Sequence, residues 1–157
     1  MRACVQLVER ARVSLPEDGG RVSGEIGCGF LVLLGVGRDD TSEEARLLAR
    51  KICQMRIFED ENGKMNLGLA QVGGSLLVVS QFTLYADCVR GNRPGFAAAA
   101  PPGKANALYN EFVDIARKEY GLHVETGVFR AMMDVELVNS GPVTIWLDTD
   151  ELARRKD

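Results

Sequence analysis

The sequence is poor in the residues that metal sites and catalytic triads require. Its 157 residues include one histidine, His123, and four cysteines with no Cys-x-x-Cys pair among them. Zinc ligands come in closely spaced pairs, and a catalytic thiol or hydroxyl needs a histidine or another cation beside it. We therefore expect no metal and no cofactor, reduced buried thiols, and a partly exposed His123 at the end of a strand rather than in a triad.

The chain also lacks an excess of positive charge and any long apolar run. Nineteen Lys and Arg stand against 22 Asp and Glu, which gives a net charge of −3 and excludes a generally basic nucleic-acid coat protein. The longest apolar run, Phe30 to Val36, is far shorter than the roughly 18 residues that span a bilayer. We expect a cytoplasmic protein with no membrane partner, whose contact with any nucleic acid is local.

The motifs of several enzyme classes are missing as well. The sequence has no phosphate-binding G-x-x-x-x-G-K-[ST] loop, no dinucleotide G-x-G-x-x-G motif and no G-x-S-x-G nucleophile elbow. The acidic pairs Asp39-Asp40 and Glu43-Glu44 fall at a loop and a helix start, where dipole and capping effects account for them without catalysis.

The patterns that are present predict one mixed α/β domain. Alternation over Ala3–Ser14 predicts a half-buried strand, and the segments after it predict an antiparallel meander. Two helices are predicted, over Ser42–Arg56 behind a capping box and from Leu108 to Glu119 ahead of Gly121. The further predicted strands are Val22–Ile26, Phe30–Val36, Ser75–Phe82, His123–Thr126, Met133–Val138 and Val143–Leu147. Residues 86–103 contain too many glycines and prolines for regular structure, and Asp150–Asp157 is predicted to be a charged, frayed tail after a domain of residues 1–149.

A first polar cluster, Ser80-Gln81-Phe82-Thr83-Leu84, interrupts the end of a strand that otherwise resembles core. Backbone amides at such a strand end can form an oxyanion hole, and Thr83 could orient water or act as a nucleophile. The alternative is a strand that simply meets solvent, with Ser80 and Thr83 on its wet face.

A second polar cluster, Asn139-Ser140-Gly141-Pro142-Val143-Thr144, lies between two predicted strands. A Gly-Pro bond is one of the few peptide bonds that can be cis at modest cost, which can turn consecutive carbonyls into a pocket. The alternative is an ordinary turn that contains proline.

Together, the two clusters occur in the order and spacing of the D-aminoacyl-tRNA deacylases, which the chain resembles from Met1 to about Asp148. The resemblance is nearly letter for letter over Arg56-Ile57-Phe58, Gly63–Leu67 and Val78–Leu84. It implies a homodimer of mixed α/β subunits with a mostly antiparallel, barrel-like sheet and two main helices. The implied activity is hydrolysis of the ester that links a D-amino acid, or glycine, to the 3′ end of tRNA.

The resemblance also assigns roles to residues. Ser80, Gln81, Phe82 and Thr83 form the catalytic half, in which amides near Phe82 bind the oxyanion and Gln81 lies near the terminal ribose. The substrate-binding half consists of Gly141, Pro142, Asn139, Phe129 and Met133. In it, a cis Gly141–Pro142 bond reaches into the partner's pocket, holds the α-amino group and excludes L side chains, while Phe129 and Met133 line the adenine pocket. Phosphate contacts are expected from Lys64, Arg90 and Arg93.

Four positions depart from the usual pattern of the family. Leu7 replaces an arginine that is thought to brace the Gly-Pro loop, and Gly95, Arg130 and Ser140 replace a serine, a glycine and an aspartate. A related branch with a relaxed Gly-Pro geometry clears small L-amino acids from tRNA, and Leu7 leaves that alternative open. A non-catalytic RNA-binding dimer of the same fold is the other alternative.

Overall fold

A computed structural model describes residues 1–154 of the chain. Eight strands and four helices follow one another along it. The strands are β1 (Arg2–Leu15), β2 (Arg21–Ile26), β3 (Gly29–Gly35), β4 (Phe58–Glu59), β5 (Met65–Leu67), β6 (Ser75–Ser80), β7 (Val124–Thr126) and β8 (Asp134–Asp148). The helices are α1 (Ser42–Cys53), α2 (Leu69–Val72), α3 (Pro102–Lys118) and α4 (Thr149–Arg154). No helix within these residues is long and apolar enough to cross a membrane.

The long first strand organises the sheet. Val5 pairs with Val32 of β3 and Ile145 of β8, while Ala11 pairs with Ile26 of β2 and Leu137 of β8. Because a strand has only two edges, β2 and β3 lie one after the other along the same edge of β1. The predicted meander is therefore wrong: the opening is one long hairpin, bent where β2 passes into β3.

The second edge of β3 forms a parallel pair, whereas the sequence predicts a mostly antiparallel sheet. β3 pairs with β6 and β6 pairs with β7, both in parallel, so the sheet is mixed. It nearly closes into a barrel where β2 meets β7: Ser23 Oγ donates to the carbonyl of Thr126 at 3.4 Å, and a Cβ on Gly24 would lie 2.6 Å from that oxygen. Only glycine permits this approach.

Apolar residues fill both faces of the central strands, as predicted for Phe30–Val36. One face packs under α1 and α3, and the other faces the inside of the barrel with Leu31 and Leu77. The helix predictions are confirmed, including the Thr41–Glu44 capping box and a left-handed Gly121 after α3, although α1 ends earlier and α3 begins earlier than predicted.

Three smaller expectations need correction. Residues 149–154 form α4, where a frayed tail was predicted from Asp150, and residues 155–157 lie outside the described chain. The two strands predicted around the Gly-Pro motif are parts of the single strand β8. Cys28 and Cys88 are exposed rather than buried, whereas burial raises the pKa of the Cys53 thiol to about 12.

Candidate active site

The first polar cluster lies at the carboxyl end of β6. Ser80 pairs with Leu34 of β3, and the Gln81 amide donates to the Leu34 carbonyl at 2.8 Å before the chain leaves the sheet. Residues Phe82–Tyr85 then form a 3₁₀ turn, hereafter the site turn. The first amides of any such turn have no intrahelical acceptor. The amides of Phe82 and Thr83 can therefore donate to an oxygen that carries developing negative charge.

The side chains of the site turn are uncharged. Phe82 and Thr83 are exposed, and the Gln81 side-chain amide donates to Thr83 Oγ1. The Phe82 ring meets the Phe96 ring edge to face, with centroids 5.0 Å apart. This contact joins the turn to residues 86–101, which form no regular helix or strand and contain two mutual hydrogen bonds between Asp87 and Gly95.

Phe129 and Met133 lie in the segment between β7 and β8, which begins at the same end of the sheet as the site turn. Because Val78 pairs with Thr126 in parallel, the residues after Thr126 continue beside Ser80. Both side chains are half-buried: the Phe129 ring lies 6.3 Å from that of Tyr109, and the Met133 sulfur occupies the space where a Cβ on Gly127 would stand. Arg130, where the family usually has glycine, has a left-handed φ of 67°.

The second polar cluster interrupts β8. Asn139 pairs with Val8 and Thr144 with Gln6, so that Ser140–Val143 has only Leu7 opposite it and protrudes from the strand; we call this the Gly-Pro segment. Its Gly141–Pro142 bond is cis, as the resemblance implies, and both residues are exposed. Gly141 has a φ of 110°, a region that side chains disfavour.

Asn139 closes the base of the Gly-Pro segment. Its Oδ1 accepts from the Val143 amide at 3.2 Å, and its Nδ2 donates to Thr144 Oγ1 at 3.0 Å. Gln6 Nε2 approaches the same hydroxyl at 3.4 Å. Leu7 packs against the core and supplies no polar contact to the segment. In this chain, therefore, neighbouring amide and hydroxyl groups hold the segment where the family usually has an arginine.

The two clusters lie far apart within one chain. The strand order from one to the other is β6, β3, β1, β8, and three strand spacings amount to roughly 14 Å. His123 is remote from the site turn as well: its carbonyl pairs at the start of β6, and its exposed ring lies 3.5 Å from Glu125. Among the described residues, no group of His, Cys, Asp and Glu is arranged to hold a metal.

Comparisons with known proteins identify the family of this chain. The model of the D-Tyr-tRNA(Tyr) deacylase family matches residues 4–148. The chain belongs to the D-aminoacyl-tRNA deacylase family. It is 61% identical over 97% of its length to a D-aminoacyl-tRNA deacylase of Anaeromyxobacter dehalogenans, 99% of which is covered, and 57% identical at the same coverages to that of Thermotoga petrophila.

Solved structures share the fold of this chain. One described as "c-Myc DNA Unwinding Element Binding Protein" superposes with a TM-score of 0.86 at 42% identity and covers 94% of this chain and 98% of its own. A "probable eukaryotic D-amino acid tRNA deacylase" shares the fold with a TM-score of 0.80 at 17% identity, over 93% of this chain and 97% of its own. The activity of this deacylase is accordingly hydrolysis of D-aminoacyl-tRNA.

The sequence alone does not identify Arg2, Tyr85 and Asp40 as residues that fix the end of the site turn. Arg2 Nη1 donates to the Leu84 carbonyl at 3.0 Å, and the Tyr85 hydroxyl donates to Asp40 at 3.2 Å. The sequence predicts Asp40 to be a loop residue near a helix start, whereas the structure buries it. These residues are 38 to 83 positions apart in the sequence, so no local pattern could have linked them.

Proposed function

We propose that this deacylase hydrolyses its ester with a water molecule at the site turn of one subunit, and excludes L-amino acids with the Gly-Pro segment of a second subunit. The products are the free amino acid and tRNA with a free 3′-hydroxyl. The observation that carries the proposal is the separation of the two clusters within one chain. Each displays exposed backbone groups, and neither reaches the other.

The chemistry of the site turn suits an activated ester. Attack of water on the ester carbonyl places negative charge on its oxygen, which the amides of Phe82 and Thr83 can accept without a charged side chain. The ribose 2′-hydroxyl beside the ester can help to position or activate the water, so that positioning supplies much of the rate. Thr83 Oγ1 accepts a hydrogen bond from the Gln81 side-chain amide and has no base beside it. This supports a structural role for Thr83 rather than a nucleophilic one.

In the proposed substrate-binding half, the Gly141 carbonyl accepts a hydrogen bond from the α-amino group of the substrate. The Gly-Pro segment fills the space that the side chain of an L-amino acid would need. Glycine has no side chain to exclude, so glycyl-tRNA is a substrate in this scheme. Phe129 and Met133 line the adenine pocket beside the site turn, and Gln81 lies near the ribose. Asn139 contributes by holding the segment.

Exposed apolar surface supports the homodimer. β8 pairs only with β1 among the described strands, and its inward-facing residues, such as Leu137 and Ile145, are only half-buried. On the other face Trp146 is 48% exposed, and at the site turn Phe82 is 55% exposed. A second copy would cover such surface, with an interface of roughly 1,200 Å² or more.

Mixing two damaged proteins tests the shared site. Phe82→Pro removes one proposed oxyanion donor, at the first position of a helical turn where proline is tolerated. Gly141→Ala disturbs the segment, since its new Cβ would lie 2.7 Å from Val143 Cγ2. We expect Phe82→Pro to lose about 100-fold of its activity on D-tyrosyl-tRNA, the scale of a missing oxyanion donor. We expect a similar loss in Gly141→Ala, because a displaced segment no longer holds the α-amino group in the reactive position.

After subunit exchange, a heterodimer with shared sites contains one site made of two intact halves. Random mixing should then restore about a quarter of the wild-type activity, because half of the dimers are mixed and one site in each is whole. Gly19→Ala, also at a positive φ but with open space around its Cβ, is the matched control and should behave as wild type. No recovery in verified heterodimers, or an active monomer, would refute the shared site. Equal hydrolysis of L-alanyl-tRNA and D-alanyl-tRNA by the wild type would instead assign the relaxed branch.

A further inference from the structure

Among residues 1–154, charged side chains are buried at one place only. Asp40 and Asp148 lie there with the buried Thr149, all three around the start of β1. The amino group of Met1 donates there to Asp40 Oδ1 at 2.7 Å and to Thr149 Oγ1. We call this group the buried polar cluster.

The buried polar cluster is fully satisfied by hydrogen bonds. Asp40 Oδ1 faces the Met1 amine, and its Oδ2 accepts from the Gly37 amide at 2.5 Å and from the Tyr85 hydroxyl at 3.2 Å. Asp148 Oδ2 accepts from Arg2 Nε at 2.9 Å. A buried ion pair of this kind is seldom more stabilising than apolar packing of the same volume, so its stability alone gives no reason for it.

Two residues, Tyr85 and Arg2, connect the buried polar cluster to the site turn. Tyr85 is the last residue of the turn, and Arg2 reaches the Leu84 carbonyl while its guanidinium lies 4.4 Å over the Tyr85 ring. The turn is thus held at its start by the Gln81 amide on β3 and at its end by Asp40 and Arg2. Phe82 and Thr83, which carry the free amides, lie between these fixed points.

Close packing leaves the end of the turn little freedom. A Cβ on Gly37 would lie 2.8 Å from the Tyr85 ring, so the ring lies directly against the Gly37 backbone. Burial, with the Asp40 charge as a second cause, raises the pKa of Tyr85 far above its usual range. The hydroxyl is therefore protonated and a hydrogen-bond donor throughout the physiological range.

We propose that Asp40 is a positioning residue for deacylation: through Tyr85, and with Arg2 on the adjacent carbonyl, it fixes the direction in which the Phe82 and Thr83 amides point. The inference rests on these amides binding the oxyanion, as proposed above. Preorganised donors lower the barrier because they need no reorientation when charge develops. Loosening the end of the turn should therefore affect the chemical step more than tRNA binding.

Tyr85→Phe tests this proposal with little damage to packing, since it removes only the hydroxyl. We expect kcat on D-tyrosyl-tRNA to fall about fivefold to tenfold, the scale of one lost hydrogen bond, with KM within about twofold of wild type. Tyr109→Phe is the matched control: it also removes a buried hydroxyl, which donates to the Val78 carbonyl at 2.7 Å, but touches no residue of the turn. Its melting temperature should fall to a similar extent with kcat unchanged.

Arg2→Lys is the second variant, because it keeps the charge but loses the planar fork and the stacking on Tyr85. We expect Arg2→Lys to lower kcat as well. In the double variant with Tyr85→Phe, the fold-loss in kcat should differ from the product of the two single fold-losses, because both residues act on one turn. An unchanged kcat in Tyr85→Phe, or a loss that Tyr109→Phe reproduces, would overturn the positioning role. If Phe82→Pro is inactive while Tyr85→Phe has normal activity, only this inference fails. Phe82→Ala keeps the backbone amide that Phe82→Pro removes, so equal activity of these two variants would overturn the oxyanion assignment together with this inference.

Discussion

The site turn and the Gly-Pro segment are held in different ways. The turn is tied at both ends to the sheet and to a buried polar cluster, with Gln81 on one side and Tyr85 on the other. The segment protrudes from β8 and is closed mainly by Asn139, with Gly141 and Pro142 in solvent. The turn is therefore held by contacts within one chain, whereas the tip of the segment is exposed, which is the arrangement that the proposed shared site requires.

In the proposed mechanism, this difference separates the chemical step from the selection of the substrate. Oxyanion binding requires donors that do not move, which a core-anchored turn provides. Exclusion of a side chain needs a surface that meets the substrate from outside the pocket, and an exposed segment can supply it. Damage to the turn should then lower the rate by a similar factor for every substrate, while damage to the segment should in addition change the ratio between D and L substrates.

The largest effect is expected from Phe82→Pro, which removes an amide of the turn. Loss of one oxyanion donor costs about 100- to 1,000-fold in kcat. Phe82→Ala, which keeps the amide but loses the ring contact with Phe96, controls for the side chain and should retain most of the activity. Single-turnover hydrolysis of D-tyrosyl-tRNA measures both, and equal losses in the two variants would contradict the comparison.

A smaller effect is expected from Asn139→Ala, which removes both hydrogen bonds at the base of the segment. Two lost bonds of about 1 kcal/mol each should reduce discrimination between D- and L-tyrosyl-tRNA up to about 30-fold, with a lesser loss of rate on the D substrate. Asn110→Ala, on the exposed face of α3, is the matched control. A uniform loss on both substrates would mean that the segment serves the chemical step rather than selection.

The smallest effect is expected at Arg130, between the two halves in the sequence. Its left-handed φ costs about 1–2 kcal/mol in a residue with a side chain, while glycine gives back part of that gain in unfolded-state entropy. Arg130→Gly should therefore stabilise the protein by about 0.5–1 kcal/mol in urea unfolding, and Arg90→Gly should not. Destabilisation by Arg130→Gly would show that its side chain contributes more than its backbone costs.

Much of the fold could be predicted from local patterns. The strand over Ala3–Ser14, the capping box before α1 and the uniformly apolar β3 all lie where the local sequence pattern predicts them. Two errors concern strand pairing: the predicted meander is a long hairpin, and the two strands predicted around Gly141 are one interrupted strand, β8. The third concerns the tail predicted to be frayed, whose residues 149–154 form α4. Periodicity reports which face of a segment is buried, but it carries no information about which strand lies beside it.

The sequence by itself determined the chemistry that the site can offer. Ser80–Leu84 and Asn139–Thr144 are contiguous motifs, and the scarcity of histidine left backbone amides as the plausible oxyanion donors. Tertiary structure alone decided that Asp40, Tyr85 and Arg2 meet beneath the turn and that three strand spacings separate it from Gly141. The physical reason is that such contacts depend on strand order and register, which many weak interactions across the whole sheet fix together and no single segment encodes.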